Sequence, residues 1–453
     1  MMKEKTERTG VSRRHFITTA VSAGLYGIIP RQGRAQLHRQ SAADKLNIAG
    51  IGIGGMGSTN LRNLENENIV ALCDVDPSYA AKTAARYPKA SFYKDYRILL
   101  EKQKDLDAVV IATPDHTHAV IALAAMEAGK HVYCQKPLTH DIREARRLAA
   151  AARASKVTTV MGIQGHSAEG IRLISEWIWA GVIGRVREVD AWCSLSYYPW
   201  GHAYWSSKWD NRPEDTPAVP DGLDWDLWIG PAAMRPYHPA YHPRVWRCWW
   251  DFGCGMMGDR GVHTLDSVHM ALKLGYPDSV AATTLGGNEE THPLASIVTY
   301  QFPEREEMPP LKLTWYEGIE PPWPGRLEAG RSFPKEGGVF FKGDKGTIMC
   351  GIYADSPRLI PESAMQDFKG TAKVLPRVEG THEQDWAEHC KEGSQPMANF
   401  EYSAPLTELT LLGNIAKRFP GKLLQWDGPA MTVSNLPEAD PWIKRPYRAG
   451  WKL

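Results

Sequence analysis

Lys136, Asp259 and His263 carry side chains suited to moving a proton, although they lie far apart in the sequence. An unperturbed histidine titrates near neutral pH, and a neighbouring carboxylate can orient it as a general base. Asp259 and His263 are four positions apart, so they share one face of a helix. A helix cap and a buried structural histidine would give the same pattern. The surrounding elements must therefore decide between these interpretations.

A glycine-rich segment, Gly52-Ile-Gly54-Gly55-Met56-Gly57, joins a short apolar run to a helix-like segment. In this context the pattern predicts a dinucleotide site, with the pyrophosphate at the helix N-terminus. The next apolar run ends in Asp74, 22 residues after Gly52, where a carboxylate would accept hydrogen bonds from the ribose diol and repel a 2′-phosphate. NAD is therefore favoured over NADP. The predicted contacts come from Gly52, Gly54, Gly55, Met56, Gly57 and Asp74.

The chain continues as alternating strands and helices. Residues 107–113 read as a buried parallel strand, and the turn after it would bring Thr113 and His116 to the cofactor. A periodic helix follows over 119–127, and the next strand, 131–134, would deliver Lys136 at its carboxyl end. Ligands bind at this edge of a doubly wound sheet, so Lys136 is expected to contact the cofactor as well as the substrate.

With Gln135-Lys136-Pro137 and the run from Asp259 to Asp266, the chain resembles the Gfo/Idh/MocA family of sugar and polyol oxidoreductases. The resemblance implies that Lys136 hydrogen-bonds the reacting hydroxyl, and that Asp259 and His263 flank the substrate carbinol. Gln135 replaces the usual glutamate, which removes a charge that would hold the lysine protonated. Arg260 occupies a position that is commonly small in the family.

A second domain is expected after the dinucleotide fold. Strand-like segments at 186–192, 280–285, 296–302 and 311–316 predict the open, mainly antiparallel sheet of the family's C-terminal α/β domain. An insertion over about 197–250 is rich in tryptophan, proline and histidine. Aromatic rings stack on pyranose faces, so it favours a carbohydrate cleft, although covering the sheet or a subunit contact would need the same residues. His166, Tyr241 and His242 are the predicted substrate-binding residues.

Composition and the N-terminus restrict the function further. A net charge of +1 gives no electrostatic case for nucleic acid, and the seven scattered cysteines suggest neither a disulfide framework nor a metal site. Arg13-Arg14 before the modest apolar run 17–29 looks like a twin-arginine export signal, too short for a membrane span. The sequence predicts a periplasmic protein exported by the twin-arginine translocase, with a retained signal anchor or a disordered basic tail as alternatives.

The sequence therefore predicts three regions: a signal and linker over 1–40, a Rossmann NAD-binding domain over 41–160, and a substrate-binding and oligomerisation domain over 161–453. The expected activity is NAD-dependent oxidation of a sugar, glycoside or cyclitol hydroxyl by a dimer or tetramer. Two alternatives stay open. One is a redox-neutral glycoside hydrolase that oxidises, eliminates and reduces, and the other is a non-catalytic sugar-binding protein.

Overall fold

The computed structural model describes residues 45–196, 211–328 and 330–453. The export signal predicted near the N-terminus lies outside the described residues, as do Trp200, Trp205 and Trp209 of the insertion. All seven cysteines lie inside them and are buried. Within those three ranges, no helix is long and apolar enough to cross a membrane.

The first sheet has six parallel strands in the order β3-β2-β1-β4-β5-β6. Its strands are β1 (Asn47–Ile51), β2 (Asn68–Cys73), β3 (Ser91–Tyr93), β4 (Ala108–Ile111), β5 (His131–Gln135) and β6 (Thr159–Gly162). The helices between them are α1 (Met56–Asn63), α2 (Pro77–Arg86), α3 (Tyr96–Lys102), α4 (His118–Glu127) and α5 (Ile142–Ser155). This strand order is that of a dinucleotide-binding Rossmann fold. The sheet runs to Gly162, two residues beyond the boundary expected at residue 160.

Strand burial follows from the sequence pattern. The four residues of β4 are all buried, as the unbroken run Ala-Val-Val-Ile requires of a strand covered by helices on both faces. Helix α2 begins after Asp76, whose side chain accepts hydrogen bonds from the first-turn N–H groups of Ser78 and Tyr79. A capping box between Asp141 and Glu144 starts α5 in the same way. These caps fix where each helix leaves the carboxyl edge of the sheet.

The second sheet has nine strands in the order β13-β12-β11-β7-β10-β9-β8-β14-β15, antiparallel except for the parallel pair β7 and β10. Its strands are β7 (Val186–Cys193), β8 (Ser279–Leu285), β9 (Ala295–Phe302), β10 (Leu311–Glu317), β11 (Gly337–Gly343), β12 (Thr347–Gly351), β13 (Arg358–Ile360), β14 (Leu423–Asp427) and β15 (Thr432–Val433). The α/β prediction and the four strand-like segments are confirmed.

The remaining helices pack between the two sheets or along their edges. They are α6 (Glu169–Trp179), α7 (Trp225–Ile229), α8 (Val262–Ala271), α9 (Glu362–Asp367), α10 (His382–Glu392), α11 (Phe400–Arg418) and α12 (Asp440–Ile443). Helix α11 joins the domains, because Glu408 accepts hydrogen bonds from the Arg146 guanidinium of α5 through both carboxylate oxygens, each at 2.7 Å. The second sheet and α8 are thereby held against the carboxyl edge of the Rossmann sheet.

Candidate active site

Two glycines of the turn between β1 and α1, Gly52 and Gly57, have no room for a side chain. Gly52 has a φ of +79°, and a Cβ there would lie 2.6 Å from the backbone nitrogen of Thr113 on the neighbouring strand end. A Cβ on Gly57 would lie 2.1 Å from the carbonyl oxygen of Gly52. The turn and the start of α1 therefore pack directly on the sheet, which leaves backbone N–H groups at the helix N-terminus to receive an anionic group.

Asp74 closes the other side of this turn. One carboxylate oxygen accepts hydrogen bonds from the N–H groups of Ile53 at 2.9 Å and Gly54 at 3.2 Å, and the other accepts from Asp76 N–H at 3.0 Å. Burial raises the pKa of Asp74 to about 6, and the backbone donors oppose that rise. The carboxylate is thus fixed beside the glycine turn, where the ribose of a dinucleotide would lie.

A cavity of about 550 Å³ extends along the carboxyl edge of the Rossmann sheet. The turn residues Gly52, Gly54, Gly55 and Met56 line it, and so do Asp74 and Thr113. Lys136, Asp259 and His263 line the same cavity. The strand order places β2 and Asp74 at one end of the cavity, called the adenosine end, and β5 and Lys136 at the other, called the lysine end. The glycine turn lies between the two ends.

Lys136 leaves the end of β5 and reaches Asp259. Its Nζ contacts the Asp259 carboxylate and lies 2.9 Å from the carbonyl oxygen of the same residue. Burial lowers the pKa of Lys136, while the negative charge of Asp259 acts to raise it. A partly buried cation that donates to two fixed acceptors is held in one position. Lys136 can therefore present its remaining N–H to a substrate oxygen.

Asp259 lies in a π-helical turn, Met257–Gly261, that runs directly into α8. Such turns often occur at functional sites because they re-aim the side chains of one helical turn. His263 follows in the first turn of α8, and its ring lies edge-on to Tyr353 at 4.8 Å. Its Nδ1 is buried, and no described residue hydrogen-bonds to it. Burial and the nearby Lys136 charge hold the pKa of His263 well below its usual range, which favours the neutral imidazole.

Four residues expected at the site are not among the described residues that line the cavity: Gly57, which packs against the Gly52 backbone, and three residues with polar side chains. The ring nitrogens of His116 lie 3.2 and 2.9 Å from the carbonyl oxygens of Phe252 and Trp228, which ties the β4 turn to the insertion. His166 is paired with Asp266 of α8 at 3.0 Å. Tyr241 is in the aromatic core of the insertion. All three polar side chains are therefore used in packing.

His242 does line the cavity, but at its adenosine end. The ring Nε2 lies 2.8 Å from the Asp76 carboxylate, two residues after Asp74. To contact a substrate beside Lys136, the His242 ring would have to lie at the lysine end of the cavity. Several lining residues had no recognisable sequence signal. They include Asp115, Gln164, Arg247, Tyr353 and Trp451.

Arg247 and Arg260 bring positive charge to the lysine end. Arg247 Nε lies 3.8 Å from the Asp259 carboxylate, and its guanidinium stacks 4.2 Å from the ring of Trp246. Arg260 donates a hydrogen bond to the Tyr353 hydroxyl at 2.7 Å. Arg260 therefore orients the tyrosine that packs on His263, which gives this large residue a role at a position that is commonly small.

Comparison with known proteins agrees with this geometry. Residues 46–163 match the model of an oxidoreductase family with an NAD-binding Rossmann fold, and residues 171–288 match that family's C-terminal alpha/beta domain. The chain belongs to the Gfo/Idh/MocA oxidoreductase family. Its dinucleotide cofactor is NAD, and the glycine turn, Asp74 and the cavity fit that group.

Individual relatives align over part of their length. Levoglucosan dehydrogenase of Pseudarthrobacter phenanthrenivorans is 32% identical over 115 residues, which cover 25% of this chain and 29% of that protein. Inositol 2-dehydrogenase of Salmonella typhimurium is 32% identical over 141 residues, 30% of this chain and 42% of the relative. A glycosyl hydrolase family 109 protein of Shewanella pealeana is 29% identical over 208 residues, 40% of this chain and 45% of the relative. The chain thus spans less than half the length of each.

Solved structures agree over a larger share of the fold. The WlbA dehydrogenase of Bordetella pertussis, solved with NADH and UDP-GlcNAcA, is 17% identical and has a TM-score of 0.57. The similarity covers 84% of this chain and 99% of that structure. At this level of identity it establishes the shared two-domain fold.

Proposed function

We propose that the protein oxidises a secondary hydroxyl of a sugar, glycoside or cyclitol, using NAD bound along the Rossmann edge. The observation that carries this proposal is the convergence of Lys136, Asp259 and His263 in the cavity that the glycine turn also lines. Levoglucosan and inositol dehydrogenases among the relatives support this substrate class.

Bound NAD supplies the acceptor for the hydride that leaves the carbinol carbon as the alcohol becomes a ketone. Lys136 donates a hydrogen bond to the substrate oxygen, and Asp259 fixes the lysine through its carboxylate and carbonyl. The neutral imidazole of His263 takes the hydroxyl proton. Thr113, Gln164 and Tyr353 border the same space and would shape the substrate pocket.

A redox-neutral glycosidase is the second candidate, because the family 109 relative aligns over 208 residues, a longer stretch than the two dehydrogenases. Oxidation at C3 of a glycoside would acidify the C2 proton, and a base would then permit loss of the aglycone. A tyrosine or histidine of the insertion, or His263 and Lys136 in the cavity, would supply that base. Both reactions begin with the same oxidation step, so their products must distinguish them.

The decisive experiment incubates purified protein with a panel of glycosides and cyclitols, without added cofactor. A ketosugar together with reduced nicotinamide on the protein supports the oxidoreductase. Free aglycone without net reduction supports the glycosidase. If wild-type protein loaded with NAD gives neither product, and binds sugars equally well with and without cofactor, the sugar-binding alternative replaces both.

We also propose that the protein is exported in folded form by the twin-arginine route and acts in the periplasm. The basis is the Arg13-Arg14 pair before the apolar run at 17–29. An exported enzyme has no pool of soluble NAD to draw on, so a cofactor loaded before export would have to stay bound and be regenerated in place. A homo-oligomer of this chain is the expected assembly.

A further inference from the structure

The C-terminal end of the chain reaches the adenosine end of the cofactor cavity. Trp451 lines the cavity together with Val75, Lys94, Asp95 and Tyr96, which follow β2 and β3. These strands lie on the far side of β1 from Lys136. In a Rossmann fold the adenine extends past the carboxylate that follows β2, here Asp74. Trp451 therefore borders the space that an adenine ring would occupy.

The Trp451 ring has a fixed environment. The guanidinium groups of Arg97 and Arg448 lie 5.1 and 5.8 Å from its centroid, both within cation–π range. Its backbone N–H donates to the carbonyl of Arg448 at 3.2 Å. The ring is partly buried, and its remaining surface includes the cavity wall. The residue is thus placed before any ligand binds.

Residues 445–448 anchor this tail to the Rossmann domain. The buried guanidinium of Arg445 donates to the carbonyl oxygens of His116 at 3.1 Å and Asp251 at 3.2 Å. The Tyr447 hydroxyl donates to Glu144 of α5 at 2.5 Å. Arg445 also lies 3.5 Å from the same carboxylate. The tail is therefore held by buried polar contacts on both sides of the strand ends.

The insertion meets the tail from the other side. Arg448 donates to the carbonyl of Gly230 at 2.6 Å and pairs with the Asp226 carboxylate at 2.9 Å. The insertion in turn is tied to the end of β2, since Asp224 N–H donates to the Val75 carbonyl at 2.9 Å and His242 pairs with Asp76 at 2.8 Å. Tail and insertion thus form a continuous border around the adenosine end.

We propose that Trp451 belongs to the NAD site, where its ring forms a wall for the adenine, and that the tail and insertion together slow release of the cofactor. The inference rests on the NAD-dependent function proposed above and adds a binding residue at the opposite end of the cavity from the reacting atoms. Adenine is a flat π system, and an aromatic side chain that stacks on a base contributes substantially to binding. Release would require the tail contacts to open.

The test compares cofactor-stripped wild type with Trp451→Ala, Trp451→Phe and a chain that ends at Gly450. Trp442→Ala is the matched control, since this partly exposed tryptophan of the same tail stacks on Arg418 and does not line the cavity. Calorimetric titration with ADP-ribose measures the adenosine half alone. We expect Trp451→Ala and the truncation to weaken ADP-ribose by about tenfold or more, and Trp451→Phe and Trp442→Ala to stay near wild type.

A second measurement follows release of NAD. Loaded protein is passed through repeated gel filtration, and the nucleotide that remains is counted after denaturation. We expect Trp451→Ala and the truncation to lose NAD faster than wild type. Unchanged ADP-ribose affinity and unchanged release in both would overturn this inference and leave the oxidoreductase proposal standing. Wild-type protein that binds neither ADP-ribose nor NAD would overturn both.

Discussion

Lys136 and Asp259, which are 123 positions apart in the chain, form a partly buried ion pair in which Nζ also lies 2.9 Å from the carbonyl oxygen of the aspartate. Two acceptors on one residue hold the ammonium group more firmly than a single carboxylate would. The pair also crosses from the Rossmann edge to the π-helical turn before α8. The contact that fixes the active-site lysine therefore also links the two domains.

Replacement of the two proposed proton-handling residues should separate chemistry from cofactor binding. We expect Lys136→Met and His263→Ala each to lower turnover by ~10²–10⁴, the usual contribution of a positioned acid or base. Bound NAD should remain near one per chain, because neither residue touches the glycine turn or Asp74. Lys102→Met, on an exposed part of α3, is the control. Near-normal rates in both variants would assign these residues a structural role.

A substitution in the glycine turn is expected to remove cofactor binding, which the Lys136 and His263 variants should keep. Gly57→Val should abolish NAD binding, because any Cβ there meets the Gly52 carbonyl oxygen at 2.1 Å and displaces α1 from the strand. The measurement is the nucleotide released from purified protein, with circular dichroism to follow the fold. Gly275→Ala is a suitable control, since no heavy atom lies within 4 Å of the added methyl. A Gly57→Val protein that still copurifies with NAD would contradict this geometry.

Asp74 predicts a pH dependence of cofactor choice. Burial raises its pKa to about 6, so the carboxyl gains a proton as the pH falls through that value. The charge that repels a 2′-phosphate is then lost, and preference for NAD over NADP should weaken below about pH 6. Titration of both nucleotides across this range measures it. Asp74→Ser should relax the preference at all pH values.

The 2′-phosphate of NADP also titrates near pH 6, by analogy with the second ionisation of other phosphomonoesters. Asp74→Asn isolates that contribution, because the amide carries no charge at any pH tested. We expect the preference in Asp74→Asn to vary less with pH than in wild type. Equal pH profiles in the two proteins would assign the whole effect to the phosphate.

The export signal predicts a simple change of location. Arg13→Lys with Arg14→Lys should leave folded, active protein in the cytoplasm, since the translocase reads the arginine pair. Cell fractionation followed by an activity assay measures the distribution, and wild type expressed in parallel is the control. Periplasmic accumulation of the double variant would contradict the twin-arginine assignment.

Local sequence pattern predicted most of the fold. The glycine turn, the buried strands and Lys136 at the end of β5 follow from periodicity and spacing over a few residues. The four strand segments of the second sheet were also predictable, although the parallel pairing of β7 and β10 was not. Pairing between distant strands depends on tertiary packing, which local alternation does not encode.

The cavity residues contributed by distant segments could not be predicted either, because their positions also depend on tertiary packing. Tyr353 and Trp451 reach the cavity from the turn after β12 and from the chain end, without a motif around them. His166 was predicted from its place after a strand near the cofactor cleft, and His242 from its place in the aromatic insertion. Each is held by a carboxylate distant in sequence, Asp266 or Asp76. A histidine's role is set by such partners, and those partners are known only once the chain is folded.

The replacement of the family's glutamate by Gln135 is accommodated by a buried chain of amides. Gln135 Nε2 donates to Asn60 Oδ1 at 3.1 Å, and Asn60 Nδ2 donates to Glu383 of α10 at 2.6 Å. Asn63 donates to the other carboxylate oxygen of Glu383 at 3.1 Å. The side chain of Glu383 is fully buried. An acidic side chain therefore lies near this corner of the site, supplied from the C-terminal domain instead of from position 135.

The hydrogen-bonded series Gln135–Asn60–Glu383 predicts that exchanging Gln135 and Glu383 is tolerated better than changing either one alone. Gln135→Glu removes the donor to Asn60 Oδ1 and buries a second acid, so it should destabilise the protein by about 1–3 kcal/mol, and Glu383→Gln should also destabilise it. In the double variant the Asn60 amide can rotate, so that its oxygen accepts from the new amide at position 383 and its nitrogen donates to the new carboxylate at position 135. Urea unfolding of the four proteins gives the coupling energy. We expect the loss of unfolding free energy in the double variant to be smaller than the sum of the losses in the two single variants. Additive losses would show that the three side chains are not energetically coupled.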